Sequence, residues 1–161
     1  MEKKKLTLKY LIAILIALAL SYLLIYFFHP ILVSGSSMYP TLNDGDLMLS
    51  TTSFESKDIK RGDIVVFKDK LQLIKRVIAV GGDEIWVANG IVFVNGIPSQ
   101  FQFERIKDPG ILDQHIIIPE GQFFCMGDNR NDSYDCREIG PVTADQMRYK
   151  IIKKLFTIPF I

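Results

Sequence analysis

Leu71-Gln72-Leu73-Ile74-Lys75-Arg76-Val77-Ile78-Ala79-Val80 is the stretch whose reading decides the fold. It is apolar and β-branched, and no Gly or Pro interrupts it, so it reads as a long strand. Alternation then places Leu71, Leu73, Lys75, Val77 and Ala79 on one face. A lysine between Leu73 and Val77 on an apolar face is costly unless it snorkels or gives up its proton. Desolvation lowers a lysine's pKa, and a neutral amine is a competent general base near neutral pH. The plainer alternative is an amphipathic stem with its head in water.

On either side of this strand lie short runs of the same kind: Leu47 to Leu49, Ile64 to Phe67, Glu84 to Ala88, Ile91 to Val94, His115 to Ile118 and Gln122 to Met126. Gly62-Asp63, Gly81-Gly82-Asp83, Asn89-Gly90 and Asn95-Gly96 punctuate them. Asn89-Gly90, between W-V-A and I-V-F, is a two-residue hairpin signal. From about Pro98 to Gln114 the pattern gives way to polar residues, and a small cap is expected there. Met147 to Ile161 reads as a closing strand with a basic, apolar tail. The fold class is therefore mainly β, an antiparallel sheet domain preceded by one helix.

That helix is legible from charge. Lys3, Lys4, Lys5 and Lys9 precede a run from Leu11 to Phe28 that carries no formal charge. About 18 residues at ~1.5 Å each span roughly 27 Å, close to the hydrocarbon thickness of a bilayer. Tyr22, Tyr26, Phe27 and Phe28 crowd its far end as an interfacial belt does, and His29-Pro30 is expected to close it. The chain divides into a cytoplasmic basic terminus (1–9), a transmembrane anchor (10–29) and an extracytoplasmic β-rich domain (30–161), single-pass in the cell membrane. The rival reading of the first segment is a cleavable secretory signal, but the apolar run is longer than such a signal needs. A net charge of +1 gives no case for nucleic acid. The pattern calls for no metal or cofactor.

Two further segments stand out. V-S-G-S-S-M-Y-P-T-L, Val33 to Leu42, sets serines at 34, 36 and 37 just past the anchor. A hydrolytic serine needs a base within hydrogen-bond reach and donors for an oxyanion. His29 and His115 serve that need poorly and read as structural. Met126 to Val142 holds a charged loop between apolar strands, with Asp135 and Arg137 at i and i+2, on one face if extended. That pair reads either as a brace or as a solvated surface pair. Cys125 and Cys136 are read as two buried thiols, with a disulfide as the alternative.

Together these segments resemble the type I signal peptidases, membrane-anchored serine proteases. The resemblance rests on S-S-M-Y-P-T-L, R-G-D-I-V-V-F (Arg61 to Phe67), I-K-R-V (Ile74 to Val77) and G-D-N-R-N-D-S-Y-D-C-R (Gly127 to Arg137), in that order behind one anchor. It implies Ser37 as nucleophile and Lys75 as general base. It further implies a hydrogen bond from Ser133 to the lysine and a salt bridge between Asp135 and Arg137. The oxyanion would be met by the Ser37 N–H and by a donor at Gly35, where some members carry a serine. The substrate would bind as an added strand flanked by Val33, Ser34 and Gly35 on one side and Leu73 and Ile74 on the other. Val33, Met38, Leu42 and Ile74 would form shallow pockets for small residues of preprotein signal peptides. Length and the single anchor look like the compact Gram-positive form. A self-cleaving repressor-like Ser/Lys protease and a non-catalytic tethered β domain are the rivals from other classes. The anchor argues against the first, and the complete set of site residues against the second.

Overall fold

A computed structural model describes the backbone of residues 2–158 and the side chains of residues 9–158. Helix α1 (Glu2–Phe27) contains a 19-residue stretch, Lys9–Phe27, long and apolar enough to cross a membrane, and none of it is buried against the rest of the chain. The helix does not end at His29-Pro30. It stops at Phe27, and strand β1 (Phe28–Leu32) begins at the next residue. Pro30 biases His29 away from helical ψ, and a residue without an N–H is tolerated in an edge strand, which β1 is.

Strand β1 pairs antiparallel with β2 (Asp46–Thr51), from Phe28 opposite Thr51 to Leu32 opposite Leu47. Then come β3 (Ile64–Lys68) and β4 (Gln72–Val80), an antiparallel pair in which Val65 faces Lys75. A smaller sheet follows from β5 (Glu84–Ala88), β6 (Ile91–Val94), β7 (Ile97–Pro98) and β8 (Ile116–Ile117). Its hairpin at Asn89-Gly90 has both residues at positive φ, 51° and 75°, the backbone that a two-residue primed turn requires. The chain returns through β9 (Gln122–Met126), the short helix α2 (Cys136–Ile139), β10 (Val142–Thr143) and β11 (Met147–Thr157). The large sheet has the order β1-β2-β11-β3-β4-β9-β10, and the small one β7-β6-β5-β8. The expected closing strand thus inserts between β2 and β3. Its last three expected positions, 159–161, lie outside the described residues.

His115 does not open a strand. It precedes β8, is exposed, stacks on Trp86 with centroids 4.1 Å apart, and lies 2.8 Å from Glu84. The segment expected as a cap is irregular apart from a single turn at Gly110–Asp113. Ile106 and Leu112 bury it, and an added Cβ at Gly110 would lie 2.6 Å from the Arg137 carbonyl oxygen, so the segment rests on α2.

Two apolar cores result. The larger, including Val65, Phe67, Val77, Ile85, Leu112, Ile118 and Phe124, joins the two sheets. Each such side chain contributes about 1.5–3 kcal/mol on burial. The smaller core gathers Val33, Met38, Leu42 and Met48, with Ile64, Ile74 and Ile151 against it. It underlies the segment that carries Ser37.

Candidate active site

The loop from Val33 to Gly45 is closed at its base by hydrogen bonds from Val33 N to Asp46 O and from Gly45 N to Val33 O. Met38 and Leu42 plug into the smaller core below, which holds Ser37 half-buried above it. From the other side β4 delivers Lys75. Its Nζ lies 2.7 Å from Ser37 Oγ, and the residue is only 2% exposed. Burial pushes the Lys75 pKa down from its ordinary value, against an opposing pull from the Asp135 carboxylate. Leu73 packs with the larger core, whereas Ile74 turns to the smaller one, so the two expected flanking residues face opposite ways.

Asp135 is fully buried, and its carboxylate gathers five donors. Oδ2 accepts from the Gly127 N–H, the Ser133 hydroxyl and Arg137 Nη2, each at 2.9 Å. Oδ1 accepts from Arg137 Nε at 2.9 Å and from the Arg137 N–H at 3.1 Å. The pairing does not come from an extended strand. Asp135 is the N-cap of α2, in a capping box with Glu138, and Arg137 folds back on it across the first turn. Burial would lower the Arg137 pKa, but its bonds to Asp135 hold it above its usual value.

Two expectations change here. The Ser133 hydroxyl donates to Asp135, not to Lys75, because the charged carboxylate is the stronger acceptor. The Gly35 N–H, considered as a second oxyanion donor, is donated to Asp44 Oδ1 at 2.7 Å and is already engaged. Gly35 has φ +92°, a backbone that a side chain at this position would strain. Ser34 lies exposed at the start of the loop.

Several residues that the sequence reading passed over complete the arrangement. Arg76 forms a bidentate pair with Asp128 (2.9 and 2.7 Å) and also donates to Gly62 O and Thr41 Oγ1. One guanidinium thereby ties together the S-M-Y-P-T, R-G-D, K-R and G-D-N-R segments. Asn129 donates its N–H to Ser37 O and its side-chain amide to Ser36 O, and the Ser36 hydroxyl donates to Asp132 at 2.6 Å. Arg130, 1% exposed, reaches the carbonyls of Gly127 and Phe101 and links the Gly127–Arg137 loop to the cap. Its pKa falls to about 10 through burial. Gly127 sits where an added Cβ would lie 2.2 Å from Ser133 Oγ and 2.5 Å from Ser37 O. The signal for these residues was their crowding beside Lys75 and Ser133, but nothing in a strand pattern ranks them. Cys125 and Cys136 are free and buried, and the Cys125 N–H points at Cys136 Sγ (3.2 Å). Burial raises the Cys125 thiol pKa well above its ordinary value. Among the described residues no group of three His, Cys, Asp or Glu side chains converges as metal ligands do.

A β-sheet domain with a serine hydroxyl set against a buried amine has the outline of a serine hydrolase. A family model described as signal peptidase, peptidase S26 matches residues 5–154, and the chain belongs to this family. It is 37% identical over 139 residues to signal peptidase I of Bacillus amyloliquefaciens, a match covering 78% of this chain and 72% of the relative. It is also 35% identical over 150 residues to signal peptidase I T of Bacillus subtilis (strain 168), covering 84% and 78%. A solved signal peptidase I from Enterococcus faecalis V583 aligns with a TM-score of 0.46 and 22% identity, over 55% of this chain and 92% of its own.

Proposed function

We propose that this chain is a membrane-anchored serine endopeptidase that cleaves signal peptides from exported preproteins, with Ser37 as nucleophile and Lys75 as general base. The observation that carries the reading is the 2.7 Å contact between Lys75 Nζ and Ser37 Oγ at a lysine only 2% exposed. Family membership and the relatives named signal peptidase I supply the substrate class.

Neutral Lys75 takes the proton of Ser37 as Oγ attacks the scissile carbonyl. The tetrahedral oxyanion is met by the Ser37 N–H. Collapse expels the amine of the mature protein and leaves an acyl-serine, which a water activated by Lys75 then hydrolyses. The chemistry requires no cofactor. Asp135 acts one layer back, where it holds Gly127, Ser133 and Arg137 in place around the lysine. The substrate lies extended between Val33-Ser34-Gly35 and β4, a mode that drops alternate side chains into pockets. Val33, Met38, Leu42 and Ile74 belong to the smaller core, so the substrate side chains that drop toward them meet filled space and must be small. Helix α1 spans the bilayer with Lys3, Lys4, Lys5 and Lys9 on the cytoplasmic side and the β domain outside.

The test is cleavage of a preprotein carrying Ala at the first and third positions before the cut, by the full-length protein in membranes free of other peptidases. Ser37→Ala and Lys75→Ala should each abolish processing. Substantial turnover by Ser37→Ala would overturn the assignment.

A further inference from the structure

Strand β11 carries two irregularities that the chemistry above leaves unused. Its register against β2 skips between Ile151 and Lys153 and again between Lys154 and Phe156, so Ile152 and Leu155 have no residue opposite them and stand exposed. In an unbroken strand, residues three apart face opposite sides. The two skips cancel that alternation, as β-bulges do when they re-aim side chains. Ile151 lies opposite Ser50, Lys154 opposite Met48 and Thr157 opposite Asp46. Asp46, Met48 and Ser50 are the buried face of β2, and Met48 belongs to the smaller core beneath Ser37. Three residues of β11 spaced by three thus reach the side of the sheet that carries the Ser37 loop. Ile151 packs against the smaller core itself.

Lys154 and Thr157 meet a fully buried carboxylate there. Asp46 Oδ1 accepts from Lys154 Nζ at 2.6 Å and from the Thr157 hydroxyl at 2.7 Å, and Oδ2 accepts the Asn43 N–H at 3.0 Å. Burial alone would raise the Asp46 pKa, but its bonds to Asn43, Lys154 and Thr157 hold it below its ordinary value. One residue beyond Thr157, the Ile158 N–H donates to Gly45 O at 2.8 Å. An added Cβ at Gly45 would lie 2.8 Å from Ile158 O, so the two backbones are pressed together. Gly45 and Asp46 are the same two residues that bond Val33 across the base of the loop. The end of β11 therefore grips that base from outside, while Met38 and Leu42 plug the loop from within.

We propose that the bulged end of β11 is a clasp that positions the nucleophile, with Asp46, Lys154 and Thr157 as positioning residues for acylation. An irregular loop holds a hydroxyl at hydrogen-bond distance from a base only where its ends are fixed, and misplacement at the reacting atoms is costly in rate. The inference rests on Ser37 as nucleophile. It goes beyond that reading in giving the last strand of the sheet a part in the reaction.

The experiment measures first-turnover acylation of a short peptide by full-length protein, below the Tm of every variant so that each is folded. Thr157→Val removes the hydroxyl and keeps the shape, and Thr157→Ser restores the hydroxyl. Thr143→Val, which removes a β10 hydroxyl bonded to Gln146, is the control for loss of a bond elsewhere in the sheet. Folded Thr157→Val should acylate about tenfold more slowly, short of the ~100-fold of a full 1 Å displacement, with little change in KM. Thr157→Ser should recover most of the rate, and Thr143→Val should keep the parent rate whatever its Tm. Lys154→Gln reaches the same carboxylate from its solvent side and should slow acylation in the same sense, which keeps the test open if Thr157→Val does not fold. Parent-rate acylation by folded Thr157→Val, or by Lys154→Gln in its place, assigns the clasp to stability alone and overturns the inference. A loss that Thr157→Ser fails to restore overturns it as well. Ser37→Ala separates the two readings: acylation by that variant overturns the nucleophile and the clasp together.

Discussion

Replacing Gly127 by alanine probes how tightly the two halves of the site are pressed together. The new methyl would meet Ser133 Oγ at 2.2 Å, Ser37 O at 2.5 Å and Ser133 Cβ at 2.6 Å. Hydroxyl rotation relieves the first contact only. Ser133 Cβ and the Ser37 carbonyl must move, and ordinary contact begins about 1 Å farther out than either distance. Ser37 O is held by the Asn129 N–H at 3.1 Å, and Gly127 itself by Asp135 and Arg130, so no partner yields freely. Overpacking of this kind costs ~1–3 kcal/mol of stability, while, with Ser37 as the proposed nucleophile, a displacement near 1 Å there costs about 100-fold in rate. The assay is first-turnover acylation of a short peptide by Gly127→Ala, with Tm measured alongside. A folded variant with acylation slowed by one to two orders of magnitude is expected. Acylation at the parent rate with an unchanged Tm would show that the loop adapts and that Gly127 does not set the Ser37–Ser133 spacing.

Asp135→Ala should destabilise the domain by ~3–5 kcal/mol, because Arg137 is left buried without its carboxylate. Adding Arg137→Met should recover part of the lost Tm but not the turnover, whereas parent-like melting of the single variant would mark the pair as dispensable. Ser36→Ala removes an exposed hydroxyl bonded to Asp132 and leaves the Asn129 bonds to the Ser36 and Ser37 carbonyls in place. It should retain most processing activity and its Tm, and a loss as deep as that of Ser37→Ala would shift weight onto the Ser36–Asp132 contact.

The fold was legible wherever one strand face is buried and the turns carry their own chemistry. The apolar, β-branched run that becomes β4 and the Asn89-Gly90 turn are local signals, and each matches an element in the structure. The expected alternation does not hold, however: β4 is buried continuously from Lys75 to Ala79 instead of on alternate residues, and Leu71 is exposed. The insertion of β11 between β2 and β3 is a long-range pairing that no local pattern encodes. At the site, Lys75 was conspicuous because charge on an apolar face is costly. Arg76 and Asp128 were not, since their partners are 52 positions apart in the chain. Asp135 and Arg137 were read as neighbours on a strand, whereas a capped helical turn brings them together. That turn is only four residues long, too short for helical periodicity to register. The end of α1 was misplaced for a related reason. Pro30 signals a break but does not say that a strand has begun two residues before it.

The central claim is that a neutral Lys75 takes the proton from Ser37, and the pH dependence of first-turnover acylation tests it most directly. Burial holds the Lys75 pKa below its ordinary value, so the active neutral form should build up as pH rises and level off short of the range of free lysine, about 10.4. The same depression means that this group favours folding most above the unfolded pKa, and that contribution is lost as pH falls through the window between the unfolded and folded values. In full-length protein the acylation rate should climb with pH to a plateau, with an apparent pKa below that of free lysine, and Lys75→Ala should abolish the rise. A rate that still climbs at pH values where free lysine is half-deprotonated, or a rise that survives Lys75→Ala, would contradict the claim.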